Sequence, residues 1–372
     1  MARGEDKIRD LLAKAGITPN GSNSWDIQVH NPAFYSRVLA GGTLAFGESY
    51  MDGWWDAPDM SEMIAHVARA GLSSRSLVSL SLILNVTKAL LLNQQSIFRA
   101  REVGKKHYDV GNDLYKAMLD KRMTYTCGYW ENTKTLDDAQ EAKLDLVCKK
   151  IGLKKGDRVL DIGGGWGSFA GYAAEKYGAS VVATTISKEQ AELGRERVKG
   201  LPVEIRLQDY RETSDGPYDH IVSLGMFEHV GLKNYATYFK KARELLKDDG
   251  LFLLHTIAGN QSTMSGEPWT NKYIFPNSML PSVKQIGGAF EKYFVMEDWH
   301  NFSADYDKTL QQWFKNFDTH WPQLKAQYDE RFYRMWKFYL QCAAGNFRGR
   351  ALQLWQIVLS PHGVPGGYQS VR

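Results

Sequence analysis

The run Arg158-Val-Leu-Asp-Ile-Gly-Gly-Gly-Trp-Gly167 constrains this chain more than any other. Val159, Leu160 and Ile162 form a short apolar segment with charge before it and glycine after it, the pattern of a strand buried in a parallel sheet. The glycines make a tight turn where backbone can approach a ligand with no side chain in the way. Residues 168–177 then resume helical spacing. Strand, glycine turn and helix together form the nucleotide-binding corner of a doubly wound α/β sheet.

The chain on either side extends that reading. A helix from Thr135 to Ile151, with Thr135 as its N-cap, precedes the corner. Val181–Ile186, Val203–Leu207, His220–Leu224 and Leu251–Ile257 read as further strands. Between them Lys188–Lys199 and Tyr235–Leu246 read as helices, the first capped by Ser187 with a capping box completed by Gln190. This alternation predicts a parallel sheet with right-handed crossovers. Asp305–His320 and Gln323–Phe347 read as long aromatic-rich helices, and Leu352–Leu359 as a closing strand. Upstream, Lys7–Ala15 and Pro32–Leu39 are helical and Trp25–Val29 is a weak strand. They predict a small, mainly helical N-terminal domain with Tyr50, Trp54 and Trp55 in its core. Leu77–Leu92 fits a helix followed by Arg99, Arg101, Lys105 and Lys106; it reads either as a linker packed on the next domain or as a segment lying on anionic lipid.

Composition narrows the function classes. At 372 residues there is room for two domains. A formal net charge of +4 is no nucleic-acid-scale basic surface, though it suits an anionic membrane face. Cys127, Cys148 and Cys342 are far apart and form no Cys-x-x-Cys, so neither a disulfide framework nor a metal site is expected. The same scattered cysteines point to a reducing cytosol, while a charged N-terminus and a Leu77–Leu92 run broken by polar residues predict neither a signal peptide nor a membrane span.

Ligands of such sheets sit beyond the carboxyl ends of the strands. The residues there are Gly163–Gly167, Thr185, Ser187, Gln190, Asp209, Gly225–Val230, His255 and Ile257. Asp209 is placed to accept from an adenine amine or to stand as a solvated loop acid. The second strand ends in Thr184 and Thr185 where many nucleotide folds carry a ribose-binding acid, so Gln190 or a hydroxyl has to substitute. Glu228, after an apolar strand and Met226-Phe227, has a tunable charge state. Glu228 and His255 end adjacent strand regions, where they either share a cavity or stand apart; His229 reads as a structural histidine.

The glycine spacing departs from Gly-x-Gly-x-x-Gly. Gly163, Gly165 and Gly167 are spaced by one residue each, with Asp161 two before the first, and this resembles motif I of S-adenosylmethionine (SAM) methyltransferases. Seven further stretches join it: Gly47–Asp56, His107–Asn112, Tyr125–Trp130, Thr185–Gln190, Met226–Val230, Trp269–Pro276 and Glu297–Phe302. Together they resemble the bacterial cyclopropane-fatty-acyl-phospholipid synthases over nearly the whole chain, and the mycolic acid cyclopropane synthases over its second part.

The resemblance implies a Rossmann-like class I SAM methyltransferase domain over 105–372, a linker over 86–104 and the helical domain over 1–85. It implies transfer of a methylene from SAM to the cis double bond of an unsaturated acyl chain in a membrane phospholipid. An alkene is a weak nucleophile, so proximity to the sulfonium methyl supplies much of the rate. Aromatic faces can stabilise the carbocation that methyl transfer leaves. Ring closure then needs a base, which in the family is a bound bicarbonate. Carried over by motif, its holders are the backbone at Cys127 and Ile257 and the side chains of Glu228, His255 and Tyr306. The SAM contacts fall on Tyr125, Thr126, Gly163, Gly165, Thr185, Gln190, Asp209 and Tyr210. A homodimer, peripheral on the inner membrane face, with no nucleic-acid partner, is also implied. Two positions depart from the family. Its motif I cysteine is Gly164 here, and its late cysteine before Ala-Gly is Ala343, with Cys342 one residue earlier and so rotated about 100° on a helix. Cys342 is therefore given no catalytic role. A methyltransferase that stops at a methyl branch, and a non-catalytic SAM-dependent lipid-binding protein, are the competing expectations.

Overall fold

The computed structural model describes residues 2–72 and 111–372. Leu77–Leu92, the cations Arg99 to Lys106, the expected linker 86–104 and residues 107–110 of one motif lie outside them. The described residues form two compact units.

The first unit draws on residues up to 72, Met264–Ser278 and Tyr306–Gln353. Its helices are Ala2–Lys14, Phe34–Met51, Met60–Arg69, Pro268–Tyr273 and Glu330–Arg348, with most of Ala304–Leu324. Strands β1 (Gln28–Val29) and β2 (Trp55–Asp56) pair antiparallel. Aromatic packing organises it. Phe46 stacks on Trp55 at 4.5 Å and Tyr50 on Phe338 at 5.5 Å. The Arg334 guanidinium covers Tyr50 at 4.0 Å while donating to the Tyr50 and Trp55 carbonyls at 2.6 and 2.9 Å. Gly47 has no room for a Cβ beside the Trp269 indole, so its motif position serves close packing. Tyr50 and Trp55 are core, as expected, but Trp54 is only half-buried and lies under Arg37 at 4.4 Å. The expected boundary at residue 105 cuts the chain once. The compact units cut it several times, because 264–278 and 306–353 carry aromatic side chains that pack with the first 72 residues, Trp269 against Gly47 and Phe338 against Phe46.

The second unit draws on residues from 111 to Thr263, Met279–Asp305 and Leu354–Arg372. Its strands are β3 (Arg158–Ile162), β4 (Ser180–Thr185), β5 (Val203–Leu207), β6 (Tyr218–Leu224), β7 (Leu246–Gly259), β8 (Val295–Asn301) and β9 (Leu352–Ser360). They lie in the order β5-β4-β3-β6-β7-β9-β8. β3 pairs parallel with β4 on one side and β6 on the other, β4 pairs parallel with β5, and β6 with β7. β8 pairs antiparallel with β9. The order reverses at β3, so the ligand crevice of this sheet opens beyond its carboxyl end. Helices Ser168–Tyr177, Lys188–Arg197 and Tyr235–Leu245 supply crossovers, and helix Leu136–Lys150 precedes the first strand of the sheet. This is the expected Rossmann-like core of the SAM methyltransferase class, preceded by helical elements.

Two caps follow the local signals in outline. Thr135 accepts from the Asp138 N–H at 3.2 Å, as expected. Ser187 accepts from the Gln190 N–H at 3.2 Å, but the capping box does not close: the Gln190 side chain takes a hydrogen bond from Thr185 instead. Among the described residues no helix is long and apolar enough to cross a membrane.

Candidate active site

The crevice is built by strand ends and the loops that follow them. Gly163 and Gly164 both donate to the Thr184 carbonyl, at 3.0 and 2.9 Å, which folds the turn after β3 over the end of β4. Gly163 and Gly165 have φ of +82° and +54°, values that favour glycine. A Cβ on Gly163 would strike Met226, whereas one on Gly165 would enter open space. The turn thus presents bare backbone to the crevice, a fit to a cofactor that binds at close quarters. At Gly164 a Cβ would come within 2.8 Å of Ala183 and 2.9 Å of the Asp161 carboxyl.

Around the turn the other expected cofactor residues take defined partners. Tyr125 meets Tyr115 edge-on at 5.2 Å, and Tyr115 in turn packs on Trp166 at 4.8 Å. Trp166 is anchored by its Nε1–H donating to Asn112 at 2.9 Å. The Thr185 hydroxyl donates to Gln190 Oε1 at 2.8 Å, leaving the Gln190 NH2 as the donor end where the sheet lacks a ribose acid. Asp209 is no solvated loop acid. It is buried, and its carboxylate accepts from Arg211 through Nε at 2.8 Å and Nη2 at 2.6 Å. Tyr210 packs edge-on against Tyr238 at 5.3 Å.

The polar pair lies one strand away. β6 and β7 register Leu224 beside His255, and Gly225 N–H donates to the His255 carbonyl at 2.9 Å. Glu228 follows in a single 3₁₀ turn, Phe227–His229, held by the stack of Phe227 on Tyr235 at 4.3 Å. Its Oε1 accepts from the Ile257 N–H at 2.7 Å, and its own carbonyl accepts from Met279 N–H at 2.9 Å. Its Oε2 is buried and has no partner among the described residues. The Thr256 hydroxyl donates to the Ile257 carbonyl at 3.0 Å and also lies close enough to the Glu228 carboxyl to offset part of the rise that burial causes. Burial pushes the Glu228 carboxyl up to about 7.

His255 is buried too, and Nε2 has no partner among the described residues. Burial holds its basicity well below the ordinary histidine value, with Lys143 and Lys150 adding to the effect, so the ring is neutral. The Gln356 amide nitrogen lies 3.4 Å from Nδ1. With a donor there, the neutral ring carries its proton on Nε2, where it can donate to an anion.

Cys127 is buried, its thiol donating to the Gly128 carbonyl at 3.1 Å. Tyr306 belongs to the first unit, where it stacks on Phe347 at 4.6 Å. The Cys342 thiol is pushed well up by burial, an inert setting consistent with leaving it out of the chemistry. His229 is held neutral by burial, down to about 4, as a structural histidine would be.

Sequence reasoning missed Lys143, Gln140, Arg211 and Gln356. A signal existed for two of them: Gln140 and Lys143 fall on the stripe of helix Leu136–Lys150 otherwise filled by Leu136, Ala139, Leu144 and Val147, all buried. Polar groups on that stripe have to be matched inside the protein.

The chain is similar to known proteins over most of its length. The family described as mycolic acid cyclopropane synthetase matches residues 95–357. Cyclopropane-fatty-acyl-phospholipid synthase of Escherichia coli (strain K12) is 52% identical over 363 residues, covering 98% of this chain and 94% of that one. Tuberculostearic acid methyltransferase UfaA1 of Mycobacterium tuberculosis is 33% identical over 359 residues, covering 91% and 83%. Among solved structures, the cyclopropane synthase MmaA2 from Mycobacterium tuberculosis superposes with a TM-score of 0.65 at 30% identity, over 70% of this chain and 97% of that one.

Proposed function

Because this chain belongs to the cyclopropane-fatty-acyl-phospholipid synthase family, SAM-dependent enzymes that transfer a methylene group to an unsaturated fatty-acyl chain, we propose that its acceptor is the cis double bond of a membrane phospholipid's acyl chain and that ring closure is assisted by a bound bicarbonate. SAM supplies the carbon, and bicarbonate the base for the departing proton.

The observation behind this reading is the pair of buried, unpartnered atoms Glu228 Oε2 and His255 Nε2 at the ends of neighbouring strand regions. Unpaired buried polar atoms are costly, so their presence beside a cofactor crevice argues for a small polar ligand. Their chemistry suits an anion able to exchange a proton. Two bare anions would repel. A carboxyl at about 7 carries a proton for much of the time near neutral pH and can donate it through Oε2. The Ile257 N–H fixes the other oxygen, so the carboxyl cannot rotate away. The neutral His255 adds a second donor without adding charge. The backbone at Cys127 and Ile257 and the Tyr306 side chain are assigned to the anion by the resemblance. Tyr125, Thr126, Gly163, Gly165, Thr185, Gln190, Asp209 and Tyr210 are assigned to SAM on the same basis.

The same premise extends to location and assembly: a homodimer in the cytoplasm, peripheral on the inner membrane, with no nucleic-acid partner. A phospholipid acceptor and the basic stretch Arg99 to Lys106 support the surface attachment.

The test is turnover on unsaturated phospholipid vesicles in verified carbon-dioxide-depleted buffer, with bicarbonate added back. Product lipids are read by mass spectrometry. Gain of one methylene with loss of the double bond to ring formation, restored by bicarbonate, is expected. A methyl-branched product, or full activity without bicarbonate, overturns the reading.

A further inference from the structure

The helix Leu136–Lys150 carries a lysine that no part of the reaction above uses. Lys143 is fully buried, and its Nζ donates to Thr126 Oγ1 at 2.9 Å. One turn earlier Gln140, also fully buried, donates through Nε2 to the Thr126 carbonyl at 2.7 Å and reaches the Thr124 carbonyl at 3.5 Å. The Asp120 carboxylate accepts from the Thr124 N–H at 2.7 Å and its hydroxyl at 3.3 Å. The stretch from Asp120 to Gly128 is therefore held from below by two side chains of one helix face. Thr126 itself remains half-buried.

The direction of the Lys143 bond has a chemical consequence. An ammonium can only donate. Thr126 Oγ1 must accept from it, so the Thr126 proton points elsewhere. The methyl group of Thr126 is fixed against Gly225, where a Cβ would come within 2.7 Å of Thr126 Cγ2. With methyl and one lone pair committed, the hydroxyl is left as a donor.

We infer that Lys143 is a positioning residue for the cofactor: by donating to Thr126 it orients that hydroxyl as a hydrogen-bond donor to SAM. This rests on the assignment of Thr126 to the SAM site. Burying a lysine is expensive unless its charge is balanced. Here Asp120, Asp161 and the Cys127 thiol act on it through space, while burial brings it down to about 8 and lifts Asp161 to about 7. A methionine of similar length would fill the volume at no electrostatic cost, so packing alone does not explain a lysine.

The experiment is a double-mutant cycle on the full chain, with SAM binding read by calorimetry and folding by thermal melts. Lys143→Met and Thr126→Val should each weaken SAM binding by about tenfold, the scale of one charge-assisted hydrogen bond. The double variant should be no weaker than either alone, because both remove one interaction. Multiplying losses would mean the residues act separately and would overturn the inference. Unchanged affinity in Lys143→Met overturns it alone; unchanged affinity in Thr126→Val removes the Thr126 assignment as well. If Lys143→Met does not fold, the parent decides by pH. Above about pH 8 a deprotonated Lys143 can accept from the Thr126 hydroxyl, so parental affinity should fall relative to Thr126→Val. The amino group of SAM titrates at roughly 7.7–8.0 and cancels in that ratio, as do Asp120, Asp161, Cys127 and His255, which face or sense Lys143 in both proteins. A flat ratio refutes the inference.

Discussion

The Glu228 carboxyl is held by one oxygen only: Oε1 accepts from the Ile257 N–H at 2.7 Å while Oε2 lies buried without a partner among the described residues. One half of the group is structural and the other is available. Glu228→Gln keeps the shape and the Oε1 acceptor but cannot exchange a proton. SAM binding should stay near the parental value, and turnover should drop about 100- to 1,000-fold, the usual effect of losing one preorganised contact. Calorimetry and turnover on the same preparation check this, and a fully active variant would remove Glu228 from the chemistry.

The same carboxyl predicts a pH-dependent stability. Burial lifts it from 4.5 to about 7, so between those values the folded protein holds a proton that the unfolded chain has released. The cost of burying its charge is absent below pH 4.5 and complete above 7. It can reach about 3 kcal/mol, since a tenfold change in a protonation equilibrium is worth about 1.4 kcal/mol. Glu228→Gln has no such cost. The melting temperature of the variant relative to the parent should therefore rise between pH 5 and 8. Asp161, also lifted by burial, contributes equally to both proteins and drops out. A constant difference across that range would show that Glu228 is not desolvated in the folded state.

Gly165 offers a test of the cofactor turn. Its φ of +54° disfavours a β-branched residue, yet a Cβ there meets no protein atom within 4 Å. Gly165→Val should therefore fold with a loss of about 1–2 kcal/mol from backbone conformation while projecting its side chain into the crevice. SAM affinity should be lost far beyond that modest destabilisation. Calorimetry of the folded variant decides: parental affinity would mean the cofactor does not approach this backbone.

The parts of the fold legible in the sequence are those where one local signal suffices. β3 declares itself because Val159, Leu160 and Ile162 make a short apolar run, interrupted only by Asp161, that ends in glycine. β8 does not, because Val295–Asn301 contains Glu297, Asp298 and His300 and lacks alternation. Asp298 is nevertheless buried, since Arg372 and Ser370 from the chain end bind its carboxylate and Lys150 lies 3.6 Å away. A strand whose charges are matched from far along the chain leaves no local trace. β7 begins at Leu246 and not at Leu251 because Leu246 still pairs with Tyr218; the polar Lys247–Asp249 fall in the bulge between that pair and His220–Leu251, which hides the strand start from the sequence pattern. In the site, an acid after an apolar strand marks Glu228, but which of its oxygens is free depends on Ile257. Asp209 is legible as the acid that follows β5, while the Arg211 partner that buries it, two residues on, gives no such signal.

Two buried helical glycines separate close packing from helix propensity. Replacing glycine by alanine inside a helix gains about 0.5–1 kcal/mol where space allows. Gly171, in helix Ser168–Tyr177, has that space: its Cβ would meet Val198 Cγ1 at 3.5 Å, ordinary contact. Gly345, in helix Glu330–Arg348, does not. Its Cβ would overlap the Ser61 carbonyl oxygen and come within 2.7 Å of Ile64 Cβ, both on helix Met60–Arg69. A backbone carbonyl cannot rotate away, so the helices themselves would have to separate. That overpacking should cost about 1–3 kcal/mol, more than the propensity gain returns. Gly171→Ala should therefore raise the denaturant midpoint and Gly345→Ala lower it, with the denaturant slope unchanged in both. Equal stabilisation by the two substitutions would show that the helices do not approach this closely at Gly345.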